Sequence, residues 1–228
     1  MKLLLFDIDG TLLTTNGAGR PAVEAALSTL IGRSISTEGV SFSGKTDQQI
    51  LREVLTRSGA DDDLLNGRFH EVVEAFRQTM HRVFDPGEAD ALDGACALVE
   101  QLHTDERAQL GLLTGNLQEM AYLKVGAIGF DEEHFPFGAF GSDHEDRNEL
   151  PAIAVERAAA HAGRSFGDGD VVIIGDTPRD IECGRVGGCL TVAVATGRFD
   201  RATLAEHEPD VLLDSLADAE AFVASVLA

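Results

Sequence analysis

Four short apolar runs, each closed by a polar turn, set the pattern of this chain. Residues 2–8, 109–113, 171–174 and 190–195 are mostly hydrophobic and do not alternate. They lead into Asp9-Gly10, Thr114-Gly115-Asn116, Gly175-Asp176 and Thr196-Gly197. Such runs are expected of strands buried on both faces. Residues 137–140 and 210–213 are weaker strand candidates. Residues 93–103, 118–127, 150–162 and 180–186 carry alanine- and leucine-rich stretches of helical period. Strands alternating with amphipathic helices predict an α/β fold, a doubly wound parallel sheet covered on both faces. Sheets of this kind bind ligands beyond the carboxyl ends of their strands, where strand order reverses. The polar turns lie at those ends.

The alternation fails once. Far more chain separates residue 8 from residue 109 than one crossover requires. Helical patterns fill residues 21–31, 47–57 and 63–83, and Asp85-Pro86-Gly87 supplies a stop and a return. Residues 15–88 are therefore expected to form a helical insertion above the strand ends. Residues 1–14 and 89–228 would form the remaining core.

Composition narrows the possible functions. The net charge is -21, from 39 acidic and 18 basic residues, so no basic face for nucleic acid is expected. Anionic lipid should be repelled as well. No apolar run is long enough to span a membrane, and the run at residues 3–6 lacks a cleavage-site pattern, so a cytoplasmic protein is expected. Lys2, Lys45 and Lys124 are the only lysines. Acidity with few lysines fits either a high-salt habitat or ordinary solubility. Cys96, Cys183 and Cys189 are odd in number and form no CxxC pair, which points to buried thiols in a reducing compartment.

The chemistry begins at Asp7-Ile8-Asp9-Gly10-Thr11. Residues i and i+2 of a strand share a face, so both carboxylates would approach one ligand. Two such anions repel unless a cation or a proton intervenes, which calls for a hard divalent metal such as magnesium. Gly175-Asp176-Thr177-Pro178-Arg179-Asp180 adds two more carboxylates at a strand end. Asp176 suits the metal site. Asp180 suits metal support or the capping of the helix it opens. Thr114-Gly115-Asn116 is either a phosphate cradle at a helix N-terminus or an ordinary turn.

In this order, each at a strand end, the motifs resemble those of the haloacid dehalogenase superfamily across nearly the whole chain. The resemblance implies a Rossmann-like core with a cap inserted after the first strand. The helical insertion matches the phosphoglycolate phosphatase and β-phosphoglucomutase branch. It implies Asp7 as nucleophile and Asp9 as general acid, then base. It also implies that Thr114, Gly115 and Asn116 hold the phosphate. Magnesium would be bound by Asp7, Asp176 and the main-chain carbonyl of Asp9. The family's third motif usually supplies a lysine, but none follows Lys124; Arg147, just before the helix at 150–162, is the candidate cation. Its alternative is a surface arginine paired with neighbouring acids.

In the insertion, Gly44-Lys45-Thr46-Asp47 resembles a turn near the cap entrance of this branch. Lys45 is the candidate contact for the non-reacting end of the substrate, while Thr46 or Asp47 would cap a helix. Asp143-His144-Glu145-Asp146 reads as a solvated loop, and His103 and His161 as helix C-terminal residues. The expected partner is a small phosphorylated metabolite, and the protein is a monomer or homodimer. Asp9 argues against dehalogenation, since members with that activity lack this second acid. A phosphomutase uses the same residues and stays open. A ligand-binding protein without turnover fits less well with Asp7, Asp9, Thr114 and Asp176 all present.

Overall fold

The computed structural model describes residues 1–167 and 169–227. Six parallel strands form the sheet: β1 (Lys2–Phe6), β4 (Ala108–Thr114), β5 (Gly138–Phe140), β6 (Val171–Gly175), β7 (Leu190–Val194) and β8 (Val211–Leu213). Their spatial order is β5-β4-β1-β6-β7-β8. Phe6 is in register with both Leu112 and Ile174, so β1 lies between β4 and β6. Strand order reverses about β1, and the crevice beyond its carboxyl end is the expected ligand position.

The unalternating runs have a direct explanation. Leu4 and Phe6 pack on one face with α4 (Ala95–His103), α5 (Gln118–Ala127) and α9 (Ala219–Val226). Leu3 and Leu5 pack on the other with α6 (Leu150–Ala162) and α7 (Pro178–Val186). Both faces of the pleat are dry, so both side-chain sets are apolar.

The inserted segment holds α1 (Gly19–Ile31), α2 (Asp47–Arg57) and α3 (Phe69–Val83). These build a separate cluster from residues such as Leu27, Leu51, Val54, Val72 and Phe76, completed by Leu117 and Met120 from the sheet side. The expected single helix over 63–83 is corrected. A π-helical turn at Asp63–Gly67 precedes α3, and Arg68 at φ -117° interrupts the two. Gly67 weakens helix propagation there, and Arg52 donates to the Leu65 carbonyl while stacking on Phe69. Two short strands, β2 (Leu13–Thr14) and β3 (Asp90–Ala91), pair antiparallel where the segment leaves and returns. A sixth core-side helix, α8 (Arg201–Ala205), is capped by Asp200, which accepts from the Thr203 amide.

No helix among the described residues is long and apolar enough to cross a membrane.

Candidate functional site

β1, β4 and β6 deliver their polar turns to one crevice. Asp7 follows β1 directly, its amide donating to the Ile174 carbonyl at 2.9 Å. Gly10 then turns the chain at φ +90°. A Cβ there would lie 2.4 Å from Asp176 Oδ2, so only glycine lets the loop pass this close to the second acid. Thr11 donates to Asp176 Oδ1 at 3.4 Å.

Asp7, Asp176 and Asp180 are all buried, and one carboxylate oxygen from each lies within 4.8 Å of the others. Burial raises the Asp7 carboxyl from its usual range to about 6, opposed by Arg147 and assisted by Asp180 and Asp9. Burial likewise raises Asp176 well above its usual value, with Asp180 and Asp7 adding to the effect. Asp180 serves two partners. Its Oδ2 accepts from the Thr177 amide and hydroxyl at 2.9 and 2.7 Å, the first of these bonds forming, with the Asp180 amide donating to Thr177 Oγ1, the capping box that starts α7. Its Oδ1 meets Arg147.

Arg147 is 4% exposed, a degree of burial that rules out the surface alternative. It sits in a 3-10 turn, Arg147–Glu149, begun by Asp146, whose side chain accepts from the Asn148 amide. One guanidinium nitrogen reaches Asp180 Oδ1, Asp7 Oδ1 at 3.2 Å and the Leu113 carbonyl at 3.4 Å. Three buried carboxylates thus face one guanidinium. The surplus negative charge, the all-oxygen donors and their spacing fit a hard divalent cation.

Asp9 lies beside this cluster and is half-buried. Its carboxylate accepts from Lys124 at 2.8 and 2.6 Å and from Asn116 Nδ2 at 2.8 Å. Asn116 Nδ2 also reaches Thr114 Oγ1 at 2.8 Å. Lys124 was not singled out from the sequence. Its signal was position: it lies one turn after Met120 on the buried face of α5, where an apolar residue is expected.

The inserted segment closes on the Thr114-Gly115-Asn116 turn. The Asp47 amide donates to the Gly115 carbonyl at 2.7 Å, and Asp47 Oδ2 accepts from the Leu117 amide at 2.8 Å. Thr46 caps α2 by accepting from Gln49, and its hydroxyl donates to the Glu145 carbonyl at 2.7 Å. Gln48 donates to the Gly141 carbonyl at 2.7 Å. A Cβ on Gly115 would lie 2.1 Å from the Lys45 carbonyl, so glycine allows this contact. The α5 N-terminus is already partly engaged, because Asp47 holds the Leu117 amide. Lys45 lines the same cavity but is ion-paired with Glu53. That cavity measures about 540 Å³ and includes Asp7, Asp9, Thr114, Asn116, Arg147 and Asp176 in its walls.

Burial raises the Asp47 carboxyl to about 6, with Lys124 opposing and Asp9 assisting. The folded state then binds its proton more tightly than the unfolded chain does. Stability should fall as pH rises from about 4 to about 6, and the loss should persist above. The residue opens partly onto the cavity, so the effect is expected to be about 1–2 kcal/mol. Asp47→Asn should flatten this part of the stability-pH curve measured by denaturant titration. An unchanged slope would remove Asp47 as its source.

Fold and site together define a Rossmann-like α/β protein with a buried acid cluster at its strand ends. The chain belongs to the haloacid dehalogenase-like hydrolase family, whose model matches residues 4–185. It is 24% identical over 226 residues to pyrophosphatase PpaX of Listeria innocua, covering 96% of this chain and 95% of that one. It is also 24% identical over 223 residues to phosphoglycolate phosphatase of Neisseria meningitidis, covering 95% and 91%. A hydrolase from Pseudomonas syringae shares the fold at TM-score 0.74 and 18% identity, with both chains fully covered. A haloacid dehalogenase-like family hydrolase from Streptococcus pneumoniae does so at TM-score 0.66 and 17% identity, covering 97% and 98%.

Proposed function

We propose that this protein is a magnesium-dependent phosphatase that cleaves a small phosphate monoester through a covalent phosphate on Asp7. The observation that carries this reading is the buried contact of Arg147 with Asp7 inside the acid cluster, at the floor of the cavity. A carboxylate held beside a fixed cation is placed to attack phosphorus while the cation receives charge on the phosphoryl oxygens. Asp7 Oδ attacks, the ester P–O bond breaks, and Asp9 gives its proton to the leaving oxygen. Asp9 then takes a proton from the water that displaces Asp7 from phosphorus, which regenerates the enzyme. Thr114, Gly115 and Asn116 hold the phosphoryl oxygens during both steps.

Asp7, Asp176 and the Asp9 main-chain carbonyl would hold magnesium, supported by Asp180. Bound magnesium supplies positive charge to the transferring phosphoryl group. Residues 15–88 act as a cap over a core of residues 1–14 and 89–228. A covered chamber admits small molecules and excludes bulk water. Arg20, Lys45 and Arg198 also line it, which suits a second anionic group on the substrate, as in phosphoglycolate or a sugar phosphate. Action in the cytoplasm, as a monomer or homodimer, belongs to the same reading.

A panel of phosphate esters, with inorganic pyrophosphate included because a relative is named for it, tests the proposal. Phosphate release from a small ester is expected with magnesium and not with EDTA. Adding sugar phosphate acceptors separates hydrolysis from mutase action. Faster turnover of phosphopeptides or oligonucleotides than of any small ester would overturn the closed chamber. Magnesium at a hundredfold excess over its Kd should also stabilise the fold by about 2.7 kcal/mol. Asp176→Asn should abolish that gain in a thermal melt, and a full gain in the variant would remove Asp176 from the metal site.

A further inference from the structure

We infer that Lys124 is a positioning residue for Asp9, fixing the direction from which its carboxylate meets the water that hydrolyses the phosphate on Asp7. This rests on the acid-base role proposed for Asp9. Lys124 is 6% exposed and its neighbours on α5, Met120, Ala121 and Val125, are buried and apolar. Packing alone would be served by methionine or leucine at this position.

The ammonium instead commits its donors to a small arc. It reaches both oxygens of Asp9 and, at 2.6 Å, Asn116 Oδ1. Asn116 in turn joins Asp9 Oδ2 to Thr114 Oγ1. The base, the amide and the hydroxyl of the phosphate turn therefore form one connected set with Lys124 at its far end. Asp9 is otherwise half-open to the cavity and free to change rotamer. The clamp presents it from a fixed direction.

The test uses the full chain with magnesium and compares wild type with Lys124→Met and Lys124→Arg. Rapid mixing with p-nitrophenyl phosphate or phosphoglycolate, followed by acid quench, reads formation and decay of phospho-Asp7. Lys124→Met should slow decay by roughly 10- to 100-fold, part of what a positioned base contributes, so that phosphoenzyme accumulates. Formation should suffer less with p-nitrophenyl phosphate, whose leaving group needs no proton, than with phosphoglycolate. Lys124→Arg should recover part of the decay rate. Wild-type decay in a folded Lys124→Met protein would overturn the inference. Equal losses with both esters, together with weakened magnesium binding, would show a merely structural lysine and overturn it too. If Lys124→Met does not fold, Lys124→Arg decides: decay no faster than in an Asp9→Asn control overturns the role. Wild type that forms no phospho-Asp7 would instead sink the proposed phosphatase mechanism, and this role would fall with it.

Discussion

Asp7→Asn is expected to abolish turnover and leave the fold intact. An amide cannot form the covalent phosphate, and losing a nucleophile costs an enzyme on the order of 10⁴-fold or more in turnover. The same substitution should not cost stability. Burial first, and then the neighbouring Asp180 and Asp9, raise the Asp7 carboxyl to about 6, against the opposing Arg147, so its charged form is disfavoured there. Above that pH the metal-free wild type carries the cost of the buried charge, with the repulsion that adds to it, in full, and below about 4 it carries neither. The asparagine carbonyl can still accept from Arg147, so the contact survives while the repulsion ends. Metal-free Asp7→Asn at pH 8 should therefore melt no lower than wild type, and higher if repulsion dominates. Beryllium fluoride with magnesium should protect wild type in the melt and leave the variant unchanged. Normal phosphate release by the variant would sink the assignment of Asp7.

The parallel sheet was legible because burial on both faces leaves continuous apolar runs, as Leu3 to Phe6 show. Its carboxyl ends were legible because each run stops in a polar turn. The pairing of β2 with β3 was not, since two residues per strand carry no period. Neither was the break at Arg68, because it goes with a hydrogen bond that Arg52, on the neighbouring α2, donates to the Leu65 carbonyl. Arg147 could be named as a candidate because the family resemblance calls for a cation just before α6, but the chain does not reveal that it reaches Asp7 and Asp180. Lys124 stayed hidden, and Asp47 was legible only as a possible helix cap, for a related reason. A charged residue in a helix ordinarily reads as solvated, and the partners here lie far along the chain: Lys124 meets Asp9, and Asp47 meets Leu117. The first contact is set by which elements meet at the strand ends and the second by how the inserted segment docks, and local pattern encodes neither.

Arg147→Ala should be the most damaging change outside the nucleophile, and it should act on two quantities that can be separated. The first is stability. Removing the one guanidinium among Asp7, Asp176 and Asp180 leaves buried carboxylates without their ion partner, which typically costs about 3–5 kcal/mol. Magnesium should restore much of this, because it answers the same charge. The second is rate. A preorganised charge at the phosphoryl oxygens is worth about 3 kcal/mol, or roughly a hundredfold, and magnesium should not recover that part. Arg147→Lys sharpens the test. A single terminal nitrogen makes the contacts to Asp7, Asp180 and the Leu113 carbonyl, and Nε is buried without a hydrogen-bond partner. An ammonium with three donors can reproduce such a set and removes the orphaned Nε–H. Lysine should therefore keep the rate within about tenfold of wild type, while alanine does not. Kinetics and denaturant melts on both variants, with and without magnesium, read the two effects apart. An alanine variant within a few-fold of the wild-type rate would remove Arg147 from phosphoryl transfer and leave it only the work of neutralising the acid cluster.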